Sequence, residues 1–176
     1  MILMDELISA PDAGYVAVIT FRLGSAAVLG GLIGAEREWV GKAAGLRTHM
    51  TVALGCAAFV LIATDGSASA SADLSRVIQG VAAGIGFIGA GAILKKREEE
   101  DIQGLTTAAT VWLTAAVGVA AGVGKVWLAT VTVACAFVVL VVMAGVSRWL
   151  NRKGPGPIED PHGTSSTQGT QGTQGT

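Results

Sequence analysis

The chain has 176 residues, 51% of them hydrophobic and only 14% charged, with a mean hydropathy of +0.59 and a formal net charge of −1. That balance excludes an ordinary soluble domain, in which about a quarter of residues are charged. A net charge this close to zero, with no basic stripe and no aromatic ladder, also excludes nucleic acid as a partner.

Taken in chain order, Met1-Ile-Leu-Met-Asp-Glu6 lacks the basic start of a cleaved signal peptide, so the first apolar run is expected to remain as a helix. That run, Ala13–Ala35, carries Gly30, Gly31 and Gly34. In lipid, small residues of this kind let a second helix approach closely, because association there rests on packing rather than on expelling water. Arg22 lies inside the run, roughly a third of the way across at ~1.5 Å per residue. It either snorkels to the headgroups or turns inward to a carboxylate or carbonyl, with Asp73 the nearest carboxylate by depth.

A second and shortest run spans Thr48–Thr64, followed by a Ser- and Ala-rich loop and Asp73, a candidate N-cap for the next helix. The third run, Val77–Leu94, with Gly80 just inside it, places glycine at 80, 84, 86, 89 and 91. In water each interior glycine would cost about 1 kcal/mol relative to alanine, so this segment reads as the packing centre of a membrane bundle. Leu105–Val123 and Val126–Ser147 complete five runs, each close to the ~17–25 residues that cross a hydrocarbon core. The expected fold is all-α and integral to the membrane, one compact bundle of about five transmembrane helices over 1–150. Residues 151–176 turn to Gly, Thr and Gln, have little to bury, and read as a disordered tail. Cys56 and Cys135 lie within apolar runs, as small filler rather than a disulfide framework.

Orientation follows from the basic residues. Arg37, Lys42, Arg47, Lys95, Lys96, Arg97, Arg148, Arg152 and Lys153 fall on one side, against Arg76 and Lys125 on the other. The positive-inside rule then puts the N-terminus outside and the C-terminus inside, and an odd number of spans agrees with five. Trp39, Trp127 and Trp149 fall at span ends, as an aromatic belt would place them, whereas Trp112 is mid-span and reads as a packing element.

With that topology, Glu36, Arg37, Glu38, Arg47, Thr48 and His49 gather at the inner mouth, and Thr106 and Thr107 open the fourth helix on the same side. Carboxylate and hydroxyl oxygens suit a hard cation such as Mg²⁺, with Glu36 the best single contact. Arg37 and Arg47 can equally pair with Glu36 and Glu38 in a salt-bridge network that fixes helix ends. His49 reads either as a pH-responsive group or as a hydrogen-bonding residue at a helix end. On the outer side, Asp73, Ser75, Arg76 and Gln79 lie within two turns, with Asp73 and Arg76 at i,i+3. Gln79, among glycines, is expected to reach another helix or a water-filled cavity. No Ser-His-Asp, Cys-His, zinc-spaced or Gly-x-x-x-x-Gly-Lys pattern is present, so the chain reads as a non-enzyme without a cofactor, Mg²⁺ being a candidate ion only.

Five ordered motifs carry a resemblance: Gly30-Gly-Leu-Ile-Gly34-Ala-Glu36-Arg37-Glu38, Ala44-Gly45-Leu46-Arg47-Thr48-His49, Asp73-Leu-Ser-Arg76-Val-Ile-Gln79, Gly84-Ile-Gly86-Phe87-Ile-Gly89-Ala-Gly91 and Gly104-Leu105-Thr106-Thr107-Ala108-Ala109-Thr110-Val-Trp112. Together, from about Gly30 to Gly124, they resemble the MgtC/SapB family of bacterial inner-membrane proteins. The resemblance implies about five transmembrane helices and a role in growth at low magnesium and, in pathogens, in survival within macrophages. It implies either movement of Mg²⁺ or another small ion through the bundle, or restraint of another membrane machine such as the F-type ATP synthase. Many members add a soluble C-terminal domain, for which the tail here is too short and too polar. The small-residue faces also suit a homodimer, alongside the lipid bilayer and another membrane complex as partners.

Overall fold

The computed structural model describes residues 12–65, 70–95 and 102–151. Five helices span them: α1 Ala13–Trp39, α2 Leu46–Thr64, α3 Ala70–Gly91, α4 Leu105–Gly122 and α5 Val126–Asn151. All five are long and apolar enough to cross a membrane. Between α3 and α4, Leu94–Lys95 (β1) pairs antiparallel with Ile102–Gln103 (β2), so a two-residue ribbon interrupts the otherwise helical chain. The expectations for Met1–Glu6, for the charged stretch 96–101 and for the tail from 152 onward lie outside the described residues.

The helix starts differ from the sequence reading in instructive ways. The third helix begins at Ala70 rather than Val77, which puts Asp73 inside the first turn instead of at the N-cap. An acidic residue there still faces the positive end of the helix dipole. The second begins at Leu46, and its N-cap is Gly45.

α4 is the centre of the bundle. It contacts every other helix; α2 lies between α1 and α4, α3 rests on α2 and α4, and α5 on α1 and α4. Ala26, Leu29, Ile33, Ala53, Ala57, Val117, Ala121, Ala129 and Val133 form one core between α1, α2, α4 and α5. A second cluster, with Ile85, Cys56, Val111 and Ala115, joins α3 to α2 and α4.

The glycine-rich third helix is therefore not the packing centre that its composition suggested. A Cβ added at Gly80, Gly84, Gly86 or Gly91 would meet nothing within 4 Å, and one at Gly89 would make only ordinary contact, 3.5 Å from the Ala108 Cβ. The close approaches lie elsewhere. A Cβ at Gly30 would fall 2.7 Å from the Ala53 Cβ and 2.8 Å from the His49 carbonyl, and one at Gly34 would fall 2.8 Å from the Leu46 Cα. Gly31 is looser, its nearest neighbour being the flexible Met50 side chain at 3.1 Å. On α4, a Cβ at Gly118 would collide with the Ala53 carbonyl and one at Gly122 would fall 2.8 Å from that of Ala57. Two Gly-x-x-x-Gly pairs thus press α1 and α4 closely onto α2, where dispersion contacts between backbones supply the attraction that water exclusion cannot supply in lipid.

Three further residues point differently from their sequence reading. Cys135 is exposed while Cys56 is buried, so only the latter is core filler. Trp112 is 53% exposed, on the outer surface of α4, because the opposite face of that helix is filled by threonines and small residues. Gln79 faces outward and makes no hydrogen bond among the described residues. Trp39, Trp127 and Trp149 are exposed at helix ends.

Candidate functional site: the polar end of the bundle

The α1–α2 connection and the α3–α4 connection meet at one end of the bundle, and most of the sequence-nominated polar residues gather there. Glu36 and Arg37, neighbours on the last turns of α1, form an ion pair in which Arg37 Nε and Nη2 both donate to the carboxylate, the latter at 2.6 Å from Oε1. The arrangement is bidentate, the strongest geometry available to an arginine and a carboxylate. Arg37 is 4% exposed, so its charge relies on Glu36 rather than on solvent.

Glu38 does not pair with Arg47. Its Oε2 accepts the Leu46 N–H at 2.8 Å, placing a carboxylate on the N-terminus of α2, where the dipole is positive. Arg47 remains exposed, because capping α2 with Glu38 turns that carboxylate away from it. The Arg47 and Thr48 carbonyls both accept from the Thr51 hydroxyl, at 2.9 and 3.1 Å. The expected network of two ion pairs is therefore one ion pair and one helix cap.

His49 is fully buried, one turn into α2. Its Nδ1 donates to the Gly45 carbonyl at 2.9 Å, and its Nε2 lies 3.4 Å from Thr110 Oγ1. The Thr110 hydroxyl in turn donates to the Thr107 carbonyl at 2.9 Å, and Thr114 donates to the Thr110 carbonyl at 2.8 Å. A ladder of hydroxyls and one imidazole runs along α4, with its protons committed to backbone carbonyls. Such internal bonds are what a helix in hydrocarbon requires, since lipid offers no partner.

At the end of the bundle a cavity of about 570 Å³ opens between Gly41, Lys42, Ala43, Ala92, Gln103, Gly104, Leu105, Thr106 and Thr107. Gly104 sets its floor. Its φ of +97° and the Ala92 carbonyl pressed against the place of a Cβ admit no other residue without strain. Sequence reading nominated Thr106 and Thr107 but missed Lys42 and Gly104. No signal in the sequence marked the latter, since Gly45 also precedes an apolar helix and takes an extended conformation, with φ −107°.

At the other end, Arg76 Nη1 lies 3.8 Å from Asp73 Oδ1, the expected i,i+3 pair, and Ser75 is exposed. Arg22 turns inward, and its partner is a carbonyl rather than Asp73: Nη1 donates to Gly122 O at 3.2 Å. The guanidinium also lies against Gly124, where an added Cβ would meet Nη2 at 3.0 Å. Arg22 thereby satisfies one of the free carbonyls at the C-terminus of α4 and places a positive charge at the negative end of its dipole. Among the described residues no group of three or more His, Cys, Asp or Glu side chains could hold a metal ion.

In comparison with known proteins, a model of the MgtC family fits residues 23–149. The chain belongs to the MgtC family. SrpB of Synechococcus elongatus is 46% identical over 116 residues, 60% of this chain and 64% of that protein. MgtC of Salmonella typhimurium is 42% identical over 119 residues, 66% of this chain and 49% of that protein. YhiD of Escherichia coli, provisionally named a magnesium transporter, is 44% identical over 114 residues, 61% of this chain and 52% of that protein. The chain thus spans between about half and just under two thirds of these relatives. No solved structure matches it.

Proposed function

We propose that this MgtC-family chain serves magnesium homeostasis in the bacterial inner membrane, N-terminus outside and C-terminus in the cytoplasm, without itself conducting the ion. It acts by restraining another membrane complex, for which the resemblance points to the F-type ATP synthase. It is not an enzyme in this reading, and holds no resident cofactor. The carrying observation is the closed centre: α1, α2 and α4 meet backbone to backbone at Gly30, Gly34, Gly118 and Gly122, while Glu36, the sequence's best candidate for a cation contact at the mouth, is held by Arg37. A hydrated Mg²⁺ keeps several waters and needs both room and net negative charge. The link to magnesium rests on family membership and on the name of YhiD.

The contact with the other complex falls on α3, whose outer face combines Gly86 and Phe87 with Gln79, a polar group that lipid leaves without a hydrogen-bond partner. A polar side chain on a helix of that complex supplies it; self-association through the same face is the alternative that a cross-linking experiment at Ala83 separates.

Transport is the second reading, favoured by the name of YhiD and by the position of Glu36 at the mouth. Reconstitution into liposomes with a trapped Mg²⁺ indicator separates the two. The modulator reading expects entry no faster than in protein-free liposomes. Entry that is fast in the parent and lost in Glu36→Gln would install transport in its place.

A further inference from the structure

We propose that the cavity at the end of the bundle is a binding site for a phosphate group, held by the N-terminus of α4, the Thr107 hydroxyl and Lys42. The inference is independent of whether the chain conducts an ion or restrains another complex.

Three observations meet in that cavity. The first is the helix end. α4 is an 18-residue helix whose N-cap, Gly104, has no side chain, so no side-chain cap serves its leading N–H groups, and no acidic residue stands in its first turn. The N–H groups of Leu105, Thr106 and Thr107 have no intrahelical acceptor, and the dipole concentrates positive charge there. Gly104 makes the left-handed turn into the helix, and Leu105, Thr106 and Thr107 line the space beside Ala92 and the Gly41–Ala43 loop.

The second is Thr107, which is 3% exposed and lines the cavity. Its carbonyl accepts from Thr110, but its hydroxyl makes no hydrogen bond among the described residues. No fully enclosed polar side-chain atom among them lacks a partner, so this hydroxyl keeps its access through the cavity. Every other threonine hydroxyl on the inner face of α4 is committed to a carbonyl, as at Thr110 and Thr114. A buried hydroxyl left open toward a polar cavity is a donor waiting for an acceptor.

The third is charge. Lys42 lines the same cavity and makes no ion pair among the described residues. The two carboxylates closest to it in sequence are taken, Glu36 by Arg37 and Glu38 by the Leu46 N–H. Among the described residues, the concavity offers backbone donors, a hydroxyl donor and an ammonium, with Gln103 beside them. A phosphate has an oxygen for each, and backbone N–H groups at a helix N-terminus form a ready-made anion site. The group can arrive on a phospholipid headgroup or as free phosphate, and the chemistry of recognition is the same.

The test uses the full chain in phosphatidylcholine nanodiscs at constant ionic strength set with chloride. One arm titrates inorganic phosphate and follows the thermal unfolding midpoint. The other adds phosphatidylglycerol and counts lipids retained through native mass spectrometry. The proposal expects saturable stabilisation by phosphate, or selective retention of phosphatidylglycerol over phosphatidylcholine. Stabilisation without retention identifies free phosphate; retention without stabilisation identifies the headgroup. Lys42→Gln and Thr107→Val should each weaken the effect about tenfold, the size of one charge-assisted hydrogen bond. Lys42 is on an exposed loop, so its replacement does not disturb the core even if Thr107→Val does. Absence of both effects in the parent, or effects of equal strength in Lys42→Gln, would overturn the proposal.

Discussion

The Gly118 position of α4 lies directly on the Ala53 carbonyl of α2, with the Ala53 Cα only 2.8 Å from where a Cβ would stand. This contact, repeated one turn on by Gly122 and Ala57, fixes how near the two most central helices can come. Gly118→Leu should therefore separate α2 from α4 and cost about 3 kcal/mol or more, by forced overpacking that neither backbone can relieve. The loss is read as a lowered unfolding midpoint in detergent and as aggregation on size exclusion.

Gly86→Leu on α3 is the matching substitution at an open glycine. Helix propensity should make it neutral or stabilising by up to about 1 kcal/mol, while any contact made by the outer face of α3 with another membrane complex is lost. Co-purification of that complex with the parent but not with Gly86→Leu, at equal folded yield, is the expected result. An unfolding midpoint that falls as far as in Gly118→Leu would show that α3 is packed after all.

Glu36→Gln removes the charge that answers Arg37, which is 4% exposed. A buried charge without its partner is worth about 3–5 kcal/mol of lost stability, and Glu36 is somewhat more accessible than Arg37, so the lower end applies. The double replacement Glu36→Gln with Arg37→Met should recover most of that loss. A double-mutant cycle in chemical denaturation checks both statements; additive losses would mean that the pair is not coupled.

His49→Ala empties a site that the structure closes entirely and removes the imidazole donor to the Gly45 carbonyl, which keeps only the backbone N–H of residue 49. The cost should be about 2–4 kcal/mol, as for other large-to-small replacements in a close-packed interior. His49→Asn keeps a donor within reach of Gly45 and should lose less. Thermal unfolding of the two variants side by side decides the order.

Membrane orientation is tested in a chain stripped of Cys56 and Cys135. Lys42→Cys should react with an impermeant maleimide only in inside-out vesicles, and Ser71→Cys only in whole cells or spheroplasts. The reverse pattern would invert the topology derived from the basic residues.

Five apolar runs near 20 residues, punctuated by polar loops, determined a bundle of five membrane helices before any packing was known, because in hydrocarbon a backbone has no other way to satisfy its hydrogen bonds. The Asp73–Arg76 pair and the clustering of Glu36, Arg37, His49 and Thr107 at one end were equally legible, since helical spacing and loop order suffice to place them. Which glycines pack was not. Gly84 and Gly86 are indistinguishable in sequence from Gly30 and Gly118; only the azimuth of each helix toward its neighbours decides which face is closed. The same limit explains Arg22 and Glu38. Their depth and charge were readable, but their partners, the Gly122 carbonyl and the Leu46 N–H, are backbone groups at the ends of other helices. Backbone groups carry no residue identity, so tertiary structure alone could name them.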